Sequence, residues 1–282
     1  VLVIGTRLNW MMQYGQRFAR DAKIVQIDID GRELGHNRNI DLGIQADAKA
    51  AMGQLLAEAE AREGEFADRL ESDWVIHLRE DNDRRAEQSA PLLNSDAQPI
   101  HPLRLCKEIR EFLDRDAIVS VDGNEILHFG RQSIPTNVPG HRLNSGVTGT
   151  MGVGLPYGIG AQLAKPDAQV LVLHGDGSMG QNAMEIDTAV RHNLPVVTVI
   201  SNNAGWTART PGQRKPGREL GFTAYHKMAE SLGAYGEEVT DPAEIKPALA
   251  RAHSCGKASA FHAIVEPTAA GVSRAWGGSR ME

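Results

Sequence analysis

The chain has 282 residues, 41% hydrophobic and 23% charged, the proportions of an ordinary globular protein with length for one large or two ordinary domains. Thirty lysines and arginines against 36 aspartates and glutamates leave a net charge of −6. That excludes the basic footprint of a nucleic-acid or anionic-membrane binder, so an acidic substrate would need local Arg or Lys. The longest apolar runs, such as 170–173 and 194–200, fall far short of the roughly 18 residues of a membrane span. Cys106 and Cys255 have neither metal-ligand nor paired spacing; two buried small hydrophobes in a reducing, cytoplasmic compartment are expected.

The chain opens Val1-Leu2-Val3-Ile4-Gly5, inside what reads as a buried strand and without a methionine or signal peptide, so a missing N-terminal part is expected. Residues 1–5 read as a strand, 11–20 as a helix, 23–28 as a strand, Asp30-Gly31 as a turn and 47–61 as a helix. This alternation predicts a parallel α/β layer. Asp28 and Asp30 stand at a strand end, where a nucleotide-binding domain often carries its ribose acid, but no G-x-G-x-x-G follows the first strand, which argues against dinucleotide binding. From about 61 to 102 the composition turns polar, with the charged run 79–85, and reads as a solvated helix and connector.

A second α/β region follows, with helices at 101–113, 182–192 and 224–232 and strands at 117–122, 169–174, 195–201 and 261–265. A glycine-rich stretch, 146–160, interrupts it. The chemistry concentrates in 170–205. One strand ends in His174-Gly175-Asp176-Gly177-Ser178 and the next in Asn202-Asn203-Ala204-Gly205. A right-handed βαβ crossover puts both strand ends on one sheet edge, where open α/β sheets bind ligands. Asp176 and Asn203 can then converge as hard oxygen donors and, with a backbone carbonyl, two phosphate oxygens and a water, complete the octahedron of Mg²⁺. The glycines allow a close approach to phosphate, and the Ser178 hydroxyl is placed to donate beside a helix N-terminus.

These residues resemble the signature of the thiamine-diphosphate enzymes that include acetohydroxyacid synthase, pyruvate decarboxylase, oxalyl-CoA decarboxylase and 2-hydroxyacyl-CoA lyase. Gly149-Thr150-Met151-Gly152-Val153-Gly154-Leu155 is similar to the family's Gly-x-Met-Gly-x-Gly-Leu segment, and Asp122-Gly123-Asn124-Glu125 sits where the family has residues near the diphosphate. The resemblance covers essentially the whole chain. It implies an α/β fold of parallel sheets flanked by helices: an incomplete Rossmann-like central domain at 1–65, a linker at 66–100, a diphosphate- and Mg²⁺-binding domain at 101–270, and a tail or lid at 271–282. It also implies that Asp176, Asn203 and the carbonyl of Gly205 hold Mg²⁺, with Gly175, Gly177, Ser178, Asn124 and Glu125 at the diphosphate. Met151 would hold thiamine diphosphate in its bent form, and the Gly149 carbonyl would accept from the aminopyrimidine. The bend sets a base beside the thiazolium carbon, and the ring then serves as electron sink.

The family's activating glutamate lies on an N-terminal pyrimidine-binding domain of a neighbouring subunit and is absent from this sequence. Glu185 reads as a structural helix residue, and the chain alone is expected to be inactive. A homodimer or homotetramer is implied. Gly130-Arg131, Pro139-Gly140-His141-Arg142-Leu143 and Asn203-Ala204-Gly205-Trp206 look like the acyl-CoA lyase branch, whereas Gly177-Ser178 and Leu155-Pro156 suit the synthase side. The expectation is cleavage of a 2-hydroxyacyl-CoA to formyl-CoA and a carbonyl compound. The alternatives are an acetolactate-synthase-like enzyme of 2-oxo acids and a non-catalytic nucleotide-binding or assembly subunit. The basic run 209–218 reads equally as an acyl-CoA contact or a solvated loop, Arg142 as a substrate or ion-pair residue, and His174 and His192 as packed or surface histidines.

Overall fold

The computed structural model describes residues 1–65, 71–207 and 216–269. The chain divides into two compact units, the first Val1–Arg79 and the second from Glu80 onward. In the first, strands β1 (Leu2–Ile4), β2 (Val25–Asp28) and β3 (Leu42–Gln45) form a parallel sheet in that order. Val3, Leu8 and Ile24 make its core, with Met12, Phe18 and Ile40 packed against them.

The helix expected over 11–20 is instead a 3-10 helix, Trp10–Gly15. Gln13, Tyr14 and Gly15 all have positive φ, so the chain leaves helical geometry there. The Arg38 guanidinium donates to the carbonyls of Gly15, Phe18 and Ala19 and braces the segment that follows. Strand β3 was not anticipated, because its residues are largely exposed and lack an apolar face. Asp28 and Asp30 shape the turn after β2: Asp28 accepts from Asp30 N at 2.9 Å and Asp30 from Arg32 N at 3.0 Å. Helix α1 (Ala48–Ala61) begins where Asp47 accepts from Ala50 N at 2.9 Å, an ordinary N-cap.

Helix α2 (Asp73–Leu93) begins in the first unit and ends in the second. Only Ser89 on it is buried, and Arg84 and Arg85 pair with Asp81 along its surface, as a charged sequence with helical spacing allows.

The second unit carries a six-stranded, all-parallel sheet of β4 (Ile118–Asp122), β5 (Arg142–Leu143), β6 (Val170–Gly175), β7 (Val197–Asn202), β8 (Tyr235–Val239) and β9 (Ser259–Ile264), in the order β5-β4-β6-β7-β9-β8. Strand side chains alternate between two cores. Val119, Val121, Leu171, Leu173 and Phe261 join one with Leu103 and Ile109 of α3 (Pro102–Phe112), Phe129 of α4 (Glu125–Ser133) and Leu249 of α9 (Ile245–Ser254). Ile118, Val170, Val172 and Ala260 join the other with Leu155 and Ile159 of α5 (Gly154–Ala164), Met179 of α6 (Asp176–Asn182), Ala189 of α7 (Glu185–Arg191) and Ala229 of α8 (Tyr225–Ser231). Burial on both faces explains why the central strands read as unbroken apolar runs.

The second half of the glycine-rich stretch opens α5. A side chain at Gly158 would stand 2.3 Å from Val172 Cγ2, so glycine is what lets this helix lie close on the sheet. The helix expected over 182–192 is α7, and a further helix, α6, precedes it and starts at Asp176 itself. Cys106 is buried and its thiol pushed up to about 12 by burial, whereas Cys255 is only partly buried. Among the described residues no helix is long and apolar enough to cross a membrane.

Helix α3 opens on a titratable cap. His101 Nδ1 accepts from Leu103 N at 3.1 Å, and burial holds the imidazole below its ordinary value, against an opposing pull from Glu266. Protonation would remove the acceptor and set a positive charge at a helix N-terminus. The unfolded chain therefore binds the proton first, so this contribution is whole above about pH 6.5 and is lost progressively as pH falls below it, down through the lowered folded value. The urea midpoint should fall between about pH 7.5 and 5.5, and His101→Asn, a cap that does not titrate, should flatten the drop; equal slopes for both proteins would contradict this.

Candidate active site

Strands β6 and β7 are neighbours with Gly175 opposite Ser201, so the residues after each leave the sheet at the same edge. Asp176 Oδ1 accepts from Gly177 N at 2.9 Å and its Oδ2 from Gly205 N at 2.8 Å. Asn203 Oδ1 accepts from that same Gly205 N at 3.1 Å. The two side-chain oxygens thus converge on one amide. Ala204 makes this possible by turning with φ +58°, a conformation costing a non-glycine residue roughly 1 kcal/mol, which the bond from Ala204 N to Asn202 Oδ1 at 2.9 Å helps offset.

Glu125 begins α4 and accepts from Asn203 Nδ2 at 2.8 Å. Since the amide nitrogen is committed to Glu125, the amide oxygen must face Asp176 and Gly205. Burial pushes the Glu125 carboxyl up to about 7, the Asp176 charge adding to the rise while the Asn203 bond and Arg218 oppose it. Tyr225 of α8 donates to the Asp176 carbonyl at 2.9 Å, tying the start of α6 to α8.

A cleft lies at this edge. Of the residues anticipated from the sequence, Asn124, Glu125 and Met151 line it, as do Gly175, Asp176, Gly177, Ser178, Asn203 and Gly205. Gly149 does not line it; it is the left-handed residue, φ +66°, that ends the turn Gly146–Thr148.

Two of these lining residues have close neighbours within the protein. The Ser178 hydroxyl is buried, 3.0 Å from the carbonyls of Asp122 and Gly175 and 3.1 Å from His174 Nδ1. At Gly177 a side chain would stand 2.7 Å from Trp206 Cε3; the space its absence leaves is filled by that indole.

The sequence reading missed Trp206 as a cleft wall, although an indole three residues past Asn203 was a visible signal. It placed Asp122 in a segment near the diphosphate but missed its hold on the glycine-rich turn. This carboxylate is buried at the end of β4 and accepts from Gly154 N at 2.8 Å, holding the glycine-rich turn to the sheet. Burial pushes it up, and the amides of Gly152 to Gly154 pull it back.

His174 is a packed histidine, driven down to about 3 by burial, and His192 lies on the surface. Arg142 is taken up by the Ile134 carbonyl and by Thr136 Oγ1. Residues 209–215 of the basic run and the tail 271–282 lie outside the described residues. Arg218, at the end of that run, acts electrostatically on Glu125.

A carboxylate and an amide oxygen fixed on one point, beside a cleft, form the all-oxygen donor set of a hard divalent cation. The residues present therefore fit a cation carrying an anionic group.

Comparison with known proteins gives the family. Residues 127–263 match the thiamine pyrophosphate enzyme C-terminal TPP binding domain, and residues 1–55 match the central domain of the same enzymes. The chain is 31% identical to a 2-hydroxyacyl-CoA lyase of Arabidopsis thaliana and 29% identical to a probable acetolactate synthase of Mycobacterium bovis, each over 95% of this chain and 49% of the relative. It is also 29% identical to an oxalyl-CoA decarboxylase of Escherichia coli, over 95% of this chain and 48% of that protein. The chain spans about half the length of the curated relatives it matches. The cleft at the β6 and β7 strand ends is lined mainly from the matched TPP-binding region, with 123–126 just before it, and the chain belongs to the thiamine pyrophosphate enzymes, of whose central and C-terminal domains it carries matching sequence.

Proposed function

We propose that this chain supplies the diphosphate- and Mg²⁺-binding part of a carbon–carbon lyase or carboligase, one that cleaves 2-hydroxyacyl-CoA to formyl-CoA and an aldehyde or ketone. The observation that carries the reading is the convergence of Asp176 Oδ2 and Asn203 Oδ1 on Gly205 N. In it, Asp176, Asn203 and the Gly205 carbonyl hold Mg²⁺ through oxygen, as a small hard cation requires. Glu125 fixes the Asn203 amide by accepting from its nitrogen, and Tyr225 steadies Asp176 through its carbonyl. Trp206, packed on Gly177, walls the cleft from water. Met151, across the cleft, props the organic part of the cofactor, and Asn124 stands near the diphosphate.

When bound, thiamine diphosphate supplies a carbon nucleophile and an electron sink. The activating glutamate is supplied by a pyrimidine-binding domain outside this chain, in a homodimer or homotetramer.

Asn203-Ala204-Gly205-Trp206 favours the acyl-CoA branch. The near-equal identity to acetolactate synthase, 29% against 31%, keeps a carboligase of 2-oxo acids as the second reading. The test offers the intact gene product, loaded with thiamine diphosphate and Mg²⁺, a 2-hydroxyacyl-CoA and pyruvate in parallel, with products identified by mass spectrometry. Cofactor-dependent formyl-CoA is expected. Acetolactate alone would move the protein to the second reading, and neither product would overturn both.

A further inference from the structure

Away from the β6 edge, three side chains from three elements meet at the β8 end of the sheet. Glu238 of β8 lies directly opposite His262 of β9 in the strand register, the pairing that brings side chains on one face together. Helix α8 rides close over β8 because Gly236 has no side chain: a Cβ there would stand 2.2 Å from the His226 carbonyl. That approach delivers His226 to the strand pair. His226 Nδ1 is 3.1 Å from His262 Nδ1, and Glu238 Oε2 is 3.4 Å from His262 Nδ1 and 3.8 Å from His226 Nδ1.

The two imidazole planes are 19° apart with centroids separated by 5.3 Å, so the nitrogens face each other across a gap on which the carboxylate also closes. Ligand atoms about 2.0–2.2 Å from a four-coordinate ion stand roughly 3.3–3.6 Å apart, and the three measured edges bracket that spacing. His262 is fully buried and His226 nearly so, whereas the Glu238 side chain is 43% exposed. The triad thus has a dry floor and an open side, through which an ion can enter and a water can take a fourth position. Among the described residues, this is the group of histidines and carboxylates whose ligand atoms lie close enough to share an ion.

We propose that His226, Glu238 and His262 form a binding site for a divalent transition-metal ion of the zinc class. Two imidazole nitrogens and one carboxylate oxygen select such an ion over Mg²⁺, which prefers an all-oxygen shell. The site is separate from the oxygen donors at Asp176 and does not depend on the function assigned to them.

The surrounding hydrogen bonds give it a signature. Asn202 Oδ1 accepts from Ala204 N at 2.9 Å and its Nδ2 reaches the Thr223 carbonyl at 3.3 Å, which fixes the amide and makes Nδ2 the donor to His262 Nε2 at 2.8 Å. Without an ion, His262 Nε2 is therefore an acceptor and Nδ1 carries the proton. An ion on Nδ1 moves the proton to Nε2 and releases the Asn202 bond.

The experiment adds Co²⁺ to the full chain in excess Mg²⁺ and records visible absorption. The intense bands of four-coordinate cobalt are expected at one ion per chain, and they should be lost in both His226→Ala and Glu238→Ala. Absence of these bands in the wild type, or their persistence at full strength in either variant, overturns the site. A second measurement needs no variant. Histidine-selective nitrogen NMR of the wild-type chain under added Zn²⁺ should show ligation at Nδ1 of both residues and a proton on His262 Nε2; an unchanged His262 tautomer at saturating Zn²⁺ overturns it equally.

Discussion

Asp176→Ala is expected to abolish Mg²⁺-dependent binding of thiamine diphosphate, weakening it by roughly 100-fold or more, since even outer-shell partners of a metal typically matter 10–100-fold. The substitution removes the one charged oxygen donor of the proposed set. It also takes the side-chain acceptor from the Gly177 amide, at about 1–3 kcal/mol for a buried donor left unpaired, and leaves the Gly205 amide with Asn203 Oδ1 alone. Asp176→Asn separates the two effects. An amide oxygen can still accept from one of the two glycines, so the fold should be spared while the charge that holds the cation is gone. Calorimetric titration of the intact gene product with thiamine diphosphate at fixed Mg²⁺ reads the loss, with circular dichroism as the check on folding. Wild-type affinity in either variant would sink the assignment of Asp176.

Phe261→Ala should cost about 3–5 kcal/mol of stability. Phe261 is fully buried in β9, which is hydrogen-bonded on one side to β7 and on the other to β8. It belongs to the core shared by α3, α4 and α9. Sheet backbone cannot collapse into the cavity without breaking the pairing on both sides, so little relaxation offsets the lost contacts. The urea midpoint should fall steeply with the slope unchanged. A loss under about 1 kcal/mol would mean that the site relaxes and that β9 is not the rigid centre its pairing implies.

The strands β4, β6 and β7 were legible because parallel strands covered on both faces read as unbroken apolar runs. The meeting of Asp176 with Asn203 was legible too, since a right-handed crossover leaves two neighbouring strands no choice of edge. Helix α5 was hidden by its own packing: Gly154 and Gly158 make close contact with Asp122 and Val172, and glycines that serve contact look like loop. Strands β5 and β8 were hidden by their edge positions, where β5 has only two residues and β8 buries only Val239 fully. The direction of the Ser178 hydroxyl and the Trp206 cover on Gly177 depend on three-dimensional neighbours that periodicity does not encode. The same holds for the triad of His226, Glu238 and His262, drawn from three elements whose meeting requires the order β7-β9-β8.

The most direct measurement on the central claim is a crystal structure of the intact gene product with thiamine diphosphate, in which Mn²⁺ replaces Mg²⁺ and is located by anomalous scattering. One peak is expected, bonded to Asp176, to Asn203 Oδ1 and to the carbonyl of Gly205 at ordinary metal–oxygen distances of about 2.0–2.2 Å. A cofactor-bound structure with the manganese peak elsewhere, or with Asp176 and Asn203 still closed on the Gly205 amide and touching no ion, would contradict it.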